Sequence, residues 1–263
     1  GSEYNLLNFG GQELLPKGIW DLRCTEDAIF EFRRGKNPEY YLPYLDEIVS
    51  PVGRDIVFYE DRGYKIYTED KSRSALHLSN GEVLKDQYDD YFLLANDYIA
   101  VRKNGKVGLT RNGTQVLGEV KYDQVNPIIS PIYENEDYRW YFKFYIGDSC
   151  GLMNDQGQEM FDARYANVLT TADDNRFIVL DGNLSGVVDG TGRTVIPLKY
   201  NRLSYENGSK QFIVQHNTKV GLFDYNGKQR TPIVYDGYSR LQTFTDGENS
   251  DALLVLKKGA TYY

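Results

Sequence analysis

Apolar residues in this chain come in short runs set apart by polar turns. The clearest are Tyr98–Val101, Phe142–Ile146, Phe177–Leu180, Phe212–Val214 and Leu253–Leu256. Runs of this length, bounded by Gly, Asn and Asp, predict β-strands. No apolar period of about 3.6 residues persists anywhere, so helices are not expected. Several runs are apolar at consecutive positions, so both faces of those strands should be covered.

A second pattern runs through the first. Gly108 and Tyr122, Gly151 and Tyr165, Gly186 and Tyr200, and Gly221 and Tyr235 are each 14 residues apart. Gly157, Gly192 and Gly227 follow the repeat glycine by six residues, and Pro197 and Pro232 follow it by eleven. The last three copies are spaced by 35 residues. A unit of that length accommodates four short antiparallel strands. In the copy around Gly186 they read as approximately Tyr165–Leu169, Phe177–Leu180, Gly186–Asp189 and Thr194–Pro197. Gly192 and Gly227 suit hairpin turns that demand positive φ. Gly186 and Gly221 fall inside strands, where a close neighbouring backbone or ring is the expected reason. The two prolines belong at a strand end or sheet edge. Each repeat tyrosine is expected to fill a gap with its ring while its hydroxyl meets a backbone group.

The flanks are less regular. Tyr4–Leu7 matches the glycine phase with Asn5 in the glycine slot, and Gly11 and Pro16 follow at the usual spacings. Ala28–Phe32 reads as a strand, the following GKNPE as a turn, and Tyr40–Ile48 as one further strand. Ile56–Tyr59 and Tyr64–Tyr67 read as a hairpin, and Ala75–Leu78, Asn80-Gly81 and Tyr88-Asp89 as a degenerate copy. Leu253–Tyr263 supplies the first half of a unit and Tyr4–Pro16 the second half. Seven second strands are counted, beginning at Ala28, Ile56, Tyr98, Phe142, Phe177, Phe212 and Leu253. The expectation is a single all-β domain over residues 1–263, a seven-bladed β-propeller closed by a blade shared between the termini. An open β-solenoid of the same units is the alternative.

Composition narrows the function classes. A formal net charge of −8 argues against nucleic acid, which needs clustered Lys and Arg. Arg33-Arg34, the only adjacent arginine pair, reads as a solvated strand end. No apolar run approaches the roughly 20 residues of a membrane helix. Cys24 and Cys150 make neither a disulfide framework nor a zinc motif. Cys150 occupies the slot filled by Val107 and Val220 in other copies, so it is expected to be a small buried side chain.

The repeat Gly221-Leu222-Phe223-Asp224, Gly227, Pro232, Tyr235-Asp236, with its copies at Gly186 and Gly151, resembles the WG repeat (KWG repeat) of bacterial proteins. The likeness is firm from about Tyr98 to Asp236. The tryptophan that precedes the family's glycine is replaced here by Val107, Cys150, Ser185 and Val220, and by Tyr4 near the N-terminus. The resemblance implies a β-rich repeat array of a kind common in bacterial exported or lipid-anchored proteins. A secreted, periplasmic or cell-surface location is therefore the expectation, with the signal or lipid anchor removed. The resemblance implies no catalytic residues and no cofactor.

Candidate chemistry is sparse. His77 and His216 lie at different phases of the repeat and lack metal-ligand spacing. Asp246–Asp251 and Asp173-Asp174-Asn175 read as solvated acidic turns, and Gly190-Thr191-Gly192 as a hairpin turn without the helix a phosphate loop needs. Asp189 and Asp224 recur at one phase, which marks a structural role. One feature breaks the period: Tyr122 and Tyr165 are 43 residues apart. The excess lies in a loop within Asn126–Trp140, which carries Tyr133, Tyr138 and Trp140 among three acids. Insertions in repeat proteins often map to a binding face, and aromatic residues anchor contacts. These three are the candidate ligand contacts, although an ordinary decorated hairpin also fits. The favoured function is a non-enzymatic binding or scaffold module for a protein, peptide or glycan. A carbohydrate hydrolase with paired carboxylates in a propeller channel is the alternative, and a purely structural domain is a third.

Overall fold

The computed structural model describes residues 3–25, 29–131, 138–171, 175–242 and 252–262. The chain divides into two compact units, Gly1–Val116 and Leu117–Tyr263. Both are built of antiparallel sheets whose neighbouring strands are consecutive in sequence.

In the first unit, β1 (Asp21–Cys24), β2 (Phe30–Arg33), β3 (Glu39–Leu42) and β4 (Glu47–Val49) form one sheet. A second holds β5 (Ile56–Phe58), β6 (Gly63–Tyr67), β7 (Ser74–Leu78) and β8 (Val83–Leu84), with a 3-10 turn at Glu60–Arg62. Next come β9 (Asp90–Leu93), β10 (Tyr98–Lys103) and β11 (Lys106–Arg111). The boundary between the units falls within β12 (Gln115–Tyr122). The N-terminal half-repeat pairs within itself through bridges Tyr4–Ile19 and Leu7–Glu13. Its Leu15 and Ile19 pack with Phe32 and Tyr41.

Two expectations for this unit fail. Tyr40–Ile48 is not one strand but β3 and β4, paired Tyr41 to Ile48. Pro43 has no N–H to donate, and Asp46 takes a positive φ of 51°, so the chain turns there. Ile56 does not begin a second strand. It lies in the edge strand β5, and the expected hairpin with Tyr64–Tyr67 makes β6 the second strand.

The second unit carries the clear copies. Its sheets are β13 (Gln124–Pro131), β14 (Tyr138–Ile146), β15 (Ser149–Asn154) and β16 (Glu159–Tyr165), then β17 (Asn167–Thr170), β18 (Arg176–Asp181), β19 (Leu184–Asp189) and β20 (Thr194–Tyr200). Two three-stranded sheets follow: β21 (Arg202–Glu206), β22 (Gln211–His216) and β23 (Lys219–Asp224), then β24 (Gly237–Gln242), β25 (Ala252–Lys258) and β26 (Thr261–Tyr262).

The consecutive apolar residues of β18 are explained by packing on both faces. Phe177 and Val179 join a cluster with Tyr141, Leu152 and Phe161 of the preceding sheet. Ile178 joins Val187 and Ile196 in a cluster with Leu203, Phe212 and Val214 of the following sheet. Side chains alternate across a strand, so one strand serves two cores. In β22, Phe212 and Val214 face one cluster, and Ile213 packs with Val220 and Leu256 in the next. Cys150 is fully buried in the first of these clusters, as its slot predicts.

The strand glycine has the expected cause. Between β19 and β20, Ser185 pairs with Tyr200 and Val187 with Ile196, so the partner strand carries two extra residues opposite Gly186. The bulge lays Leu198 over the glycine, where an added Cβ would come 2.8 Å from Leu198 Cα and 2.8 Å from Ile196 O. Gly192 takes φ 78° in its hairpin turn, and its face abuts Phe161 of the preceding sheet. Pro197 lies in the edge strand β20, where no ladder partner needs its missing N–H.

The copy at Pro232 departs from this plan. Gln229–Tyr235 makes only two isolated bridges, Phe223–Gln229 and Val220–Tyr235, instead of a fourth strand. Thr231 stands where β20 has Ile196. Its hydroxyl oxygen accepts the Leu222 N–H at 2.9 Å and so diverts a ladder donor.

Candidate functional site

Most recurring polar side chains are engaged in turns. Asp189 Oδ1 accepts the N–H groups of Thr191 and Arg193, and Asp224 Oδ1 accepts those of Asn226 and Lys228. Asn8 and Asn154 do the same at the same phase. Burial alone would raise the Asp189 carboxyl, but bonds from Thr191 and Arg193 outweigh it and hold the group at about 2. A second set follows the repeat tyrosine. Asp89, Asp123, Asn201 and Asp236 accept the backbone N–H of Asn104, Gly147, Asn217 and Gly259, respectively. These residues build hairpins.

The repeat tyrosines differ from expectation in one respect. Tyr122, Tyr165 and Tyr200 are buried, while Tyr235 is half-buried. The Tyr122 hydroxyl donates not to backbone but to the Glu159 carboxylate at 2.7 Å, while its ring lies 4.5 Å from that of Phe144.

The aromatic insertion is a hairpin. Residues 124–131 and 138–146 pair along their whole length, with Ile129 opposite Trp140 and Pro131 opposite Tyr138. Strand β15 stops opposite Tyr141, so Tyr138, Arg139 and Trp140 extend past it in a two-stranded ribbon. Trp140 is half-buried. Tyr133 lies outside the described residues, as do Asp173, Asp174 and residues 246–251.

The histidines each pack on a tyrosine. His216, at the end of β22, meets Tyr200 edge-to-face at 5.9 Å. His77 of β7 is directly opposite Tyr64 of β6, and the rings stack at 4.4 Å. The Tyr64 hydroxyl donates to Glu47 Oε1 at 3.0 Å. It also lies 3.1 Å from His77 Nδ1, but with rings only 13° apart it sits over the imidazole and not in its plane. Among the described residues no group of three or more His, Cys, Asp or Glu could hold a metal ion.

On the other face of β6, Lys65 is buried with its Nζ 3.0 Å from Asp90 Oδ1 and 4.4 Å from the Phe92 ring centroid. Asp90 also accepts the Ser74 hydroxyl at 2.6 Å. Burial would lower the Lys65 ammonium, but Tyr67, Tyr59 and Asp90 together raise it, so it is not a neutral nucleophile.

Two clefts flank His77. One, of about 570 Å³, is lined by Tyr44, Glu47, His77, Asn80 and Glu82. The other, of about 500 Å³, is lined by Arg54, Tyr67, Arg73, Ala75, His77 and Lys85, among others. The sequence offers no signal for this second gathering. Its cations are 19 and 12 residues apart and form no motif until the β5–β8 meander folds them together.

Comparison with solved structures gives loose likenesses. A eukaryotic initiation factor structure is 13% identical, with 84% of this chain and 78% of that chain covered and a TM-score of 0.38. Hsv2 of Kluyveromyces lactis is 12% identical over 89% and 80%, with a TM-score of 0.33. Dipeptidyl peptidase 4 of Porphyromonas gingivalis is 9% identical over 92% and 52%, with a TM-score of 0.32. No curated protein matches the chain by sequence. The family comparison finds a WG containing repeat at residues 79–106, from the turn at Asn80-Gly81 through Tyr88-Asp89 to the first residue of β11.

Proposed function

We propose that this chain is a non-enzymatic binding or scaffold module, with a protein, peptide or glycan as ligand. The observation that carries this reading is the β13–β14 ribbon. It departs from the repeat, extends past its third strand and carries Tyr138 and Trp140 two residues apart. A lone two-stranded ribbon is marginal in water and gains by docking on a partner. The occupation of recurring carboxylates by turn N–H groups favours binding over hydrolysis. We further propose that the repeats belong to a seven-bladed ring closed by the two half-repeats, in an exported bacterial protein.

Replacing Tyr138 and Trp140 by Ala should weaken capture of ligands found on peptide and glycan arrays by at least 10-fold, with the thermal midpoint kept within a few degrees. Unchanged capture would remove the ribbon from the site. Turnover of an arrayed glycan would instead favour the hydrolase.

A further inference from the structure

The β13–β14 ribbon offers its main chain on one side more than on the other. Across an antiparallel pair, residues alternate between those that bond the partner strand and those whose N–H and C=O point away from it. Pro127 lies opposite Phe142, and Pro131 opposite Tyr138. Proline has no N–H to give, so these pairs belong to the outward class. Tyr138, Trp140 and Phe142 therefore direct their main-chain groups away from β13. Tyr145 is in the other class, and its carbonyl accepts the Asp123 N–H at 2.9 Å.

Strand β15 takes up the outward groups of β14 only as far as Phe142, which pairs with Met153. Asn154 then turns away, donating its N–H to the Gln158 carbonyl at 3.0 Å. Among the described residues no strand lies beside residues 138–140 on that side. The N–H and C=O groups of Tyr138 and Trp140 face this open lane, about 7 Å apart, as alternate residues of a strand are. An open edge of that kind is a template for one more strand. The opposite edge of the ribbon is a poorer template. Its outward positions in β13 include Pro127 and Pro131, which leave gaps in the row of donors.

An extended peptide supplies N–H and C=O groups at the matching spacing, whereas a glycan supplies hydroxyls without that alternation. Trp140 is on the face of β14 that carries the buried Phe142 and Phe144, and it is itself half-buried. A residue of the added strand opposite Trp140 shares that face and meets the indole.

We propose that the ligand of this module is an extended peptide segment that adds as a strand to β14, beside Tyr138 and Trp140 and in line with β15. The inference rests on the reading of the ribbon as the binding element, and it narrows the ligand from protein, peptide or glycan to a strand-forming peptide.

The test starts from a displayed library of random linear peptides selected on the full chain. The tightest member is then synthesised and measured by titration calorimetry. Methylating its backbone nitrogens one at a time should weaken binding by about 10-fold at alternate positions and little between them, because only alternate N–H groups face β14. Tyr138→Pro and Trp140→Pro should each weaken binding more than Tyr138→Ala and Trp140→Ala, since proline alone removes the outward N–H while sparing the bonds to β13. Circular dichroism checks that the variants fold, and the N-methyl scan is read on the unaltered protein. Failure to select any peptide, or a scan without alternation, would overturn strand addition. Binding weakened by alanine but no further by proline would overturn it too, while leaving the ribbon as the binding element. Binding that no change at Tyr138 or Trp140 alters would overturn both readings.

Discussion

The Asp123 carboxylate accepts the Gly147 N–H at 2.7 Å, linking the residue after a repeat tyrosine to the turn of the following hairpin. Asp89, Asn201 and Asp236 make the same link. Of the four clear copies, the one at Tyr165 lacks it: Ala166 keeps the accompanying backbone bond to the Leu180 carbonyl but has no side-chain acceptor for its turn at Gly182.

Installing the missing acceptor should therefore stabilise the protein. Ala166→Asp is expected to add about 0.5–1.5 kcal/mol, and Asp123→Ala to remove a similar amount. Urea unfolding of both variants checks this. A loss of stability in Ala166→Asp would show that the links are ornamental.

The bulge over Gly186 predicts intolerance to a single methyl group. Gly186→Ala would press its Cβ on the backbone of Ile196 and Leu198, neither of which can swing aside. A cost of about 1–3 kcal/mol is expected. Gly237 is the control, since a Cβ there meets nothing within 4 Å and its φ is not positive. Gly237→Ala should be near neutral in the same thermal melt.

Asp189 gives a pH dependence with a definite sign. Its carboxyl titrates at about 2 in the fold, against about 3.9 in an unfolded chain. The ionised form thus stabilises the fold above about pH 4, and that contribution is lost as pH falls from about 4 towards 2. Asn154 shows that an amide can hold the same turn. Asp189→Asn should flatten the acid limb of the stability curve and, by giving up the carboxylate's bonds to Arg193, cost about 1–2 kcal/mol at neutral pH. Asp189→Ala leaves the Thr191 and Arg193 N–H groups without their acceptor and should cost about 1–3 kcal/mol.

The repeat was legible because its parts have local causes. A hairpin glycine, a strand glycine under a bulge and an Asx acceptor each impose a residue type at a fixed spacing, so Gly186, Gly192 and Asp189 could be read without coordinates. Tyr40–Ile48 misled because an apolar run hides a turn when Pro43 and Asp46 are its only markers. At Gln229–Tyr235 the Thr231 hydroxyl takes a ladder donor, a competition that no periodicity records. The cationic cleft was invisible for another reason. Arg54, Arg73 and Lys85 meet through strand pairing, and nothing local ties them to each other.

In β18, Phe177 and Val179 belong to one core and Ile178 to the next. Deleting one residue there would exchange the two sets and spoil both interiors at once. A residue gained at a hairpin tip shifts no register at all. Natural variation in length is thereby steered out of the strands and into their ends, and the long hairpin between Tyr122 and Tyr165 is where this chain has used that freedom.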